Sequence, residues 1–565
     1  MKFKALILLS TVCLSVNTFV NAQNDFYLNG MGRFLISDNR LNGGALTGNT
    51  TTPTKGVSGY SIFDLTPTIK VGDNLKALVT LRLKSPFGAF FGNGTQYQIR
   101  QFQIGGKIAG LVTYEVGDIN VGEGMSKYAV NNADDIFYKY ESQVFTQRRQ
   151  ILEYENFNFG NKWRLQGAQA RTKLAIGAIV DTIGAYGFVV RTNATNDANI
   201  ADRILTGGRL SFIKNKMLTA HGNYVGLLDI PVTTTQNVYK NHVFIGDVTY
   251  GLDLGAVAIK ANIESGISTY DFTSPSDSVS FKDYFYDGGV NANVKGLQLN
   301  FFGSYKNVGP QYYNPAAQTR RLNVDNSQGL FGTIGANPRA MTLFDRYSNE
   351  SQYNRTLVTT LGNFMPQYNN ASPYGAATPN RTGITAGLAT DTSTKIINAE
   401  LKYEILKEII GENITDLRNF NVLTTGASFD LGKFIASERK YVFLVGYRNE
   451  ATTRAGLAKI DLKNTLLDAG LSIEILKKLD LLLGYKKLTS VGNELISART
   501  IVNKVDVATA YKFNIAQDIL STGVNIKFST NSFLNMTYNW TTNTTGMTLN
   551  NYNINQFFMN LTVNL

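Results

Sequence analysis

Cysteine, histidine and tryptophan are nearly missing from this chain: one, two and two in 565 residues. The single cysteine, Cys13, lies in the first two dozen residues, so no disulfide or cysteine-held metal braces the rest of the chain. The two histidines, His221 and His242, have no companion cluster of carboxylates in sequence, and no metal or other cofactor is expected. Only 17% of residues are charged, with a basic excess of +12. These cations are spread thinly rather than gathered in a patch, which argues against nucleic acid. Proline is scarce too: of 11, six stand at 310, 315, 338, 366, 373 and 379. No apolar run after the first segment is long enough for a membrane helix.

That first segment, "MKFKALILLSTVCLSVNTFVNAQ", has a basic start at Lys2 and Lys4, an apolar stretch from Ala5 to Val16, and Val20-Asn21-Ala22 before Gln23. This is the layout of a secretory signal peptide over 1–22, cut after Ala22. Ser10-Thr11-Val12 makes a poor lipoprotein box before Cys13. Without Lys2 and Lys4 the net charge becomes +10, two below the full chain's +12.

Residues 23–565 have one texture: about ten residues of apolar/polar alternation, then a turn or a polar loop. Val257, Ile259, Ala261, Ile263 and Ile267 oppose Lys260, Asn262, Glu264 and Ser268. Ile397, Leu401, Tyr403 and Ile405 oppose Asn398, Glu400, Lys402 and Glu404. Leu467, Leu471, Ile473 and Ile475 oppose Asp468, Ser472 and Glu474. The end of the chain, "NINQFFMNLTVNL", sets Phe557, Met559, Leu561, Val563 and Leu565 against Gln556, Asn560, Thr562 and Asn564. Strands with one greasy and one amide-rich or charged face, and no domain boundary between them, predict one large closed antiparallel sheet. Lipid would lie outside it and water inside. A string of soluble sandwiches would show shorter strands at regular spacing, and a solenoid a fixed period.

Tight turns are read at "VGDN" after Ile69, "FGNK" before Trp163, "IKNK" before Met217 and "VKG" before Leu297. Long loops are read at 37–58, 120–147, 270–283 and 309–393. The count is 22 or 23 strands, the ambiguity lying at 172–202, which reads as one strand or two. An even number is the rule for single-chain barrels, so about 22 are expected, with 18–24 allowed. The insertion at about 309–393 reads as an extracellular loop that caps the mouth or enters the lumen, with a short helix possible at "PRAMTLFDRYS". The loop at 120–147 reads as a constriction dipping inward. Gly117, Gly122 and Gly124, in the "YEVGDINVGEGM" that leads into it, lack the Lys-Ser/Thr pair and the helix of a phosphate loop.

On these features the chain resembles the porin-like outer-membrane β-barrels of Gram-negative bacteria. The Ala22/Gln23 junction looks like a Bacteroidota-type export signal. The final strand is similar to the signal read by the barrel-assembly machinery, although it ends in Leu565 where that signal usually ends in an aromatic. The resemblance implies an all-β transmembrane barrel in the cell outer membrane with short periplasmic turns and long extracellular loops. Its partners would be outer-membrane lipid, the assembly machinery and small polar solutes.

Parity then names the residues that would line the pore: Arg82, Lys84, Arg149, Arg164, Arg203, Arg209, Lys260, Glu264, Lys306 and Lys402. Further charged positions on the same face include Glu155, Asp247, Asp287, Arg448, Asp468 and Lys486. Cations lead, so a mild anion preference is expected of the channel. The alternative is a loop-plugged barrel serving a larger surface machine. Catalysis has little to build on. His221 could reach Asp247 across neighbouring strands, with no serine evident beside it, and "DTIG" at Asp181–Gly184 has no second copy. A globular plug of the kind active transporters carry has no room before strand texture starts near Phe26.

Overall fold

The computed structural model describes residues 24–43, 55–72, 74–87, 94–130, 139–155, 164–177, 179–193, 201–215, 217–317, 366–390, 396–411, 414–496, 509–545 and 551–565. The signal segment, the "FGNK" turn and the helix expected at "PRAMTLFDRYS" lie outside them.

Twenty-two strands form one sheet. They are β1 (Asn24–Gly43), β2 (Lys55–Val71), β3 (Leu75–Pro86), β4 (Gln96–Ile108), β5 (Val112–Asn120), β6 (Arg164–Ala175), β7 (Thr182–Asn193), β8 (Asp202–Lys214), β9 (Leu218–Ile230), β10 (Val238–Asp253) and β11 (Val257–Thr273). The second half adds β12 (Ser278–Val294), β13 (Leu299–Val308), β14 (Arg381–Thr390), β15 (Ile397–Lys407), β16 (Asn419–Asp430), β17 (Tyr441–Arg454), β18 (Ile460–Leu476), β19 (Leu479–Ile496), β20 (Thr509–Lys527), β21 (Phe533–Thr545) and β22 (Tyr552–Asn564). Each strand pairs antiparallel with the next, and β1 pairs with β22 from Met31↔Asn564 to Gly43↔Tyr552. The sheet is therefore a closed barrel with no free edge, so its ladder satisfies the backbone without water.

Links on one rim are short, as at 72–74, 109–111, 215–217, 254–256, 295–298 and 477–478. The longest link on this rim, 431–440, holds a one-turn helix whose first turn Asp430 caps by accepting from Lys433 N at 3.2 Å. The other rim carries the long links, above all 121–163 and 309–380, beside short ones such as 274–277 and 455–459.

Four loop boundaries change. The link read at 120–147 spans 121–163, with no strand among its described residues before β6. Strand pairing runs on through 37–43 and 55–58, because Ser37, Asn39 and Ser58 are polar residues within the β1–β2 ladder. The loop read at 270–283 shrinks to 274–277, since β11 and β12 stay paired up to Thr273↔Ser278. The long insertion ends at Asn380. Arg381–Thr390 is β14, whose small residues Gly383, Ala386, Gly387 and Ala389 blur the alternation that would have shown it. The ambiguous stretch 172–202 is two strands, β6 and β7, and the total is even.

The outer face is apolar. Ile263 on β11, Leu401, Tyr403 and Ile405 on β15, Phe443 on β17, Leu483 on β19 and Phe557 on β22 are all exposed there. The aromatic pairs Tyr286–Tyr305 and Tyr538–Trp540 also stand on this face. The opposite parity is polar: Gln556, Asn560 and Thr562 on β22 are buried beside Arg33 and Ser37 of β1. A closed, even-stranded, single-chain barrel with this outer belt is a membrane-spanning barrel of the outer-membrane type.

Candidate functional site: the barrel lumen

Three described segments fold inward from the long-link rim. The first is 121–130, which packs with 309–317 on the inner face of β7–β13. Tyr128 stacks on Phe285 with ring centres 4.0 Å apart, and Tyr312 meets the same ring edge-on at 5.2 Å. Asn314 Nδ2 donates to the carbonyls of Tyr128 and Ala129 at 2.6 and 3.0 Å, tying the two loops together. Tyr128 OH donates to Asp287 at 2.8 Å, Lys127 Nζ stands 2.8 Å from the same carboxylate, and Ser126 Oγ donates to Glu264. Burial first, then Asp287, pushes the Tyr128 phenol well above its ordinary value, so it stays a donor. Gly122 makes the fold-back possible. Its φ is +79°, and a Cβ there would lie 2.5 Å from Val130 Cγ1.

The second segment is a helix, α1 (Gln143–Glu155), lying against the wall from β18 round to β3. Val144, Arg148, Ile151 and Glu155 recur at helical spacing and are all buried. Its start is fixed by Glu141, which pairs with Lys486 at 2.7 Å and with Arg149 at 2.9 Å. Lys486 also pairs with Asp468 at 2.9 Å, and Asp468 accepts from Ser142 N at 3.1 Å. At the far end, Glu155 pairs with Arg33 at 2.8 Å and accepts from Tyr60 OH. Tyr154 OH donates to Asp64 at 2.6 Å. The Tyr154 ring lies among three guanidiniums, 4.1 Å from Arg100, 5.2 Å from Arg33 and 5.7 Å from Arg82. In between, Ile151 packs with Met31, Leu35, Ile62 and Phe558, and Arg148 donates to Gln556 at 2.6 Å.

The third segment, 366–380, docks on the inner face of β14–β20. Asn370 is its anchor. Its backbone N donates to Glu450 at 2.7 Å, and its Nδ2 donates to Thr452 at 3.0 Å and Glu494 at 2.5 Å. Arg448 and Asn464 donate to the carbonyls of Tyr368 and Pro366 at 2.9 and 2.7 Å. Arg381 Nε donates to Ala371 O at 2.7 Å.

The ten residues expected to line the pore fall into different surroundings. Arg82 makes a two-pronged pair with Asp64 at 2.6 and 2.5 Å, and Arg203 one with Asp229 at 2.6 and 2.9 Å. Lys84 Nζ sits 4.2 Å from the Tyr60 ring centre. Lys402 pairs with Glu404 at 3.0 Å, and Lys306 Nζ donates to Ser372 at 3.4 Å. Arg149 belongs to α1 rather than to a strand, so strand parity did not apply to it. Arg164 opens β6 opposite Asn120, and its side chain lies outside the described residues. Arg209 lies against Gly124, where a Cβ would come 3.3 Å from Nη1. Lys260 is exposed. Glu264 is the acceptor of Ser126.

Register places His221, Asp247, Glu264, Asp287 and Lys306 side by side across β9–β13. It also sets Ser211 opposite His221, a serine that reading along the sequence did not find. His221 Nε2 is 3.9 Å from Asp247 Oδ1, and no hydrogen bond joins Ser211 to His221, so the hydroxyl lacks its activating contact.

Several anchors escaped the sequence reading: Arg33, Asp64, Arg100, Glu141, Glu450 and Glu494. The signal was present for two of them. In "FDLTPTIK", Asp64, Thr66, Thr68 and Lys70 alternate with Phe63, Leu65, Pro67 and Ile69. In "NEATTR", Glu450 shares parity with Thr452 and Arg454.

Fold and lumen together define a transmembrane β-barrel narrowed by its own loops. No protein-family model matches the chain, and no curated protein does. Among solved structures it is similar to a BenF-like porin from Pseudomonas fluorescens, at 10% identity and TM-score 0.38 over 96% of this chain and 100% of that one. It is also similar to OccK5 (OpdH) of Pseudomonas aeruginosa, at 10% identity and TM-score 0.35 over 96% and 98%. A third is the FrpB iron transporter from Neisseria meningitidis, at 11% identity and TM-score 0.45 over 95% and 81%. Likeness at these scores says nothing of cargo.

Proposed function

We propose that the protein is an outer-membrane channel for passive passage of small polar solutes, constricted by 121–130, α1 and 366–380. The observation that carries this is the exposure of polar groups on the inner parity: Lys260 on β11 and Lys107 on β4 are exposed, and Gln103 is half-buried. An inner wall packed throughout as a dry core would bury such groups. A mild anion preference then rests on Arg209, Lys260 and Lys306, for which no carboxylate within ion-pair distance is described. Arg82, Arg203 and Lys402 are already neutralised. Assembly by the barrel-assembly machinery, reading β22, belongs to the same proposal.

The second reading, a barrel plugged for a structural role, is favoured by the buried polar anchoring of α1 and Asn370. Single-channel recording in planar bilayers separates the two. Discrete conductance steps are expected, and a folded, inserted barrel without conductance would establish the plugged reading.

A further inference from the structure

The inner wall carries amides in two very different settings. On β20–β22, Asn525, Asn535, Asn539 and Asn560 are buried on the same arc of wall that α1 lines. On β4, Gln98, Gln101 and Gln103 also face inward, opposite Arg82, Thr80 and Leu78 of β3, yet they remain half-exposed. No hydrogen-bond partner is described for any of these three side chains. On the same wall Gln169 of β6 is held in one orientation, donating to Glu115 at 2.6 Å and accepting from Tyr186 OH at 2.9 Å.

We propose that Gln98, Gln101 and Gln103, with Gln169, form a binding lane for a neutral, hydroxyl-rich solute such as a small sugar; this rests on the channel reading above. The β3–β4 register shifts between Thr80, opposite Gln101, and Leu81, opposite Ile99, so Arg100 is the extra residue of a bulge and Gln98 and Gln101 share the inner face across it. Below it, Gln101 and Gln103 are two residues apart, about 6.6–6.8 Å along the strand. A small polyol spans that distance with a hydroxyl at each end. Each amide offers two donors and an acceptor with two lone pairs, which suits hydroxyls that both give and accept. The neighbouring cations do not favour an anion. Arg82 is taken by Asp64, and Arg100 lies over Tyr154 and donates to its carbonyl. An anion beside Gln98, Gln101 and Gln103 would lose hydration without gaining an unpaired cation, and the carboxylate of Glu115, at the Gln169 end, would repel it.

The chain holds no cysteine after Cys13, which allows a direct test. Gln103→Cys and Asn539→Cys are reconstituted in bilayers and treated with a neutral methanethiosulfonate. Rapid reaction at 103 with a severalfold fall in conductance, and no reaction at 539, is expected. Equal reactivity at both positions, or unchanged conductance after labelling at 103, overturns the lane and leaves the channel standing. In vesicle swelling, Gln101→Leu with Gln103→Leu should slow entry of a neutral sugar severalfold while salt conductance falls much less. Sugar entry unaffected by the substitutions overturns the lane, as does an equal loss of both fluxes. A wild-type barrel that passes neither salt nor sugar removes the channel reading, and the lane with it.

Discussion

Lys486 of β19 and Glu141, 345 residues earlier, meet at 2.7 Å with both side chains about as buried as any in the protein. The lysine serves Asp468 as well, so one cation holds two carboxylates at the root of α1. Lys486→Met leaves both without it. Removing one partner of a buried pair costs about 3–5 kcal/mol. That cost falls on the docking of α1, because the β18–β19 ladder persists without the side chain. Limited proteolysis in detergent should cut within 143–155 much faster in the variant, with an unchanged barrel on heat-modifiability gels. Adding Glu141→Gln should recover part of the protection.

Strand faces give a second prediction. Leu471 stands between Phe443 and Leu483 in register, all three on the lipid side, while Ser472 faces inward beside Leu482. Leu471→Arg should destabilise the folded barrel by about 2–4 kcal/mol, the cost of Arg at the bilayer midplane. Ser472→Arg should cost clearly less. Urea titration of folding into liposomes compares them, and equal losses would contradict the face assignment.

These faces were legible because lipid leaves one side of each strand little choice. In β11, β15, β18 and β22 the apolar parity could be read directly. The miss at β14 has a physical cause: Gly383, Ala386, Gly387 and Ala389 cover little area, so pairing with β13 and β15 rather than hydrophobic pattern defines the strand. The lumen was less legible. Parity puts Arg82 and Lys486 inside, but whether each is free or paired depends on Asp64 and Glu141, one on the next strand and one on a distant loop. α1 was missed because its buried face mixes Val144, Arg148, Ile151 and Glu155, a pattern suited to a polar wall rather than to a hydrophobic core.

Pairing also sorts the lumen cations by their effect on ion traffic. Arg82→Gln removes a charge already met by Asp64, and it leaves that carboxylate to Tyr154 OH and to Arg100, 3.8 Å away. Reversal potentials in a salt gradient should therefore move towards cations in Arg82→Gln only as far as Arg100 leaves Asp64 uncompensated. Asp64→Asn with Arg82→Gln should restore the wild-type value. Lys260→Gln, with no described carboxylate partner, should lower anion preference by itself. The effect should weaken with added salt, since screening acts over about 8–10 Å at 0.10–0.15 M. A Lys260→Gln channel with unchanged reversal potential would remove Lys260 from the permeation path.

The anchor at Asn370 decides how firmly 366–380 occupies the lumen. Its side chain bridges Thr452 and Glu494 while its backbone N serves Glu450. Asn370→Ala keeps the backbone contact and removes the bridge. A hydrogen bond to a charged group contributes about 1.5–3 kcal/mol, and Glu494 keeps its contacts with Arg418 and with Leu495 N but loses the amide. The segment should therefore detach more often, while β14, which begins at Arg381, stays in the sheet through its ladder with β13 and β15. If the wild-type protein is a constricted channel, Asn370→Ala should show larger or noisier conductance steps on a background that already conducts. A plugged barrel would instead acquire conductance only in the variant. Unchanged traces from a variant shown to be folded would mean that 366–380 lies beside the permeation path rather than across it.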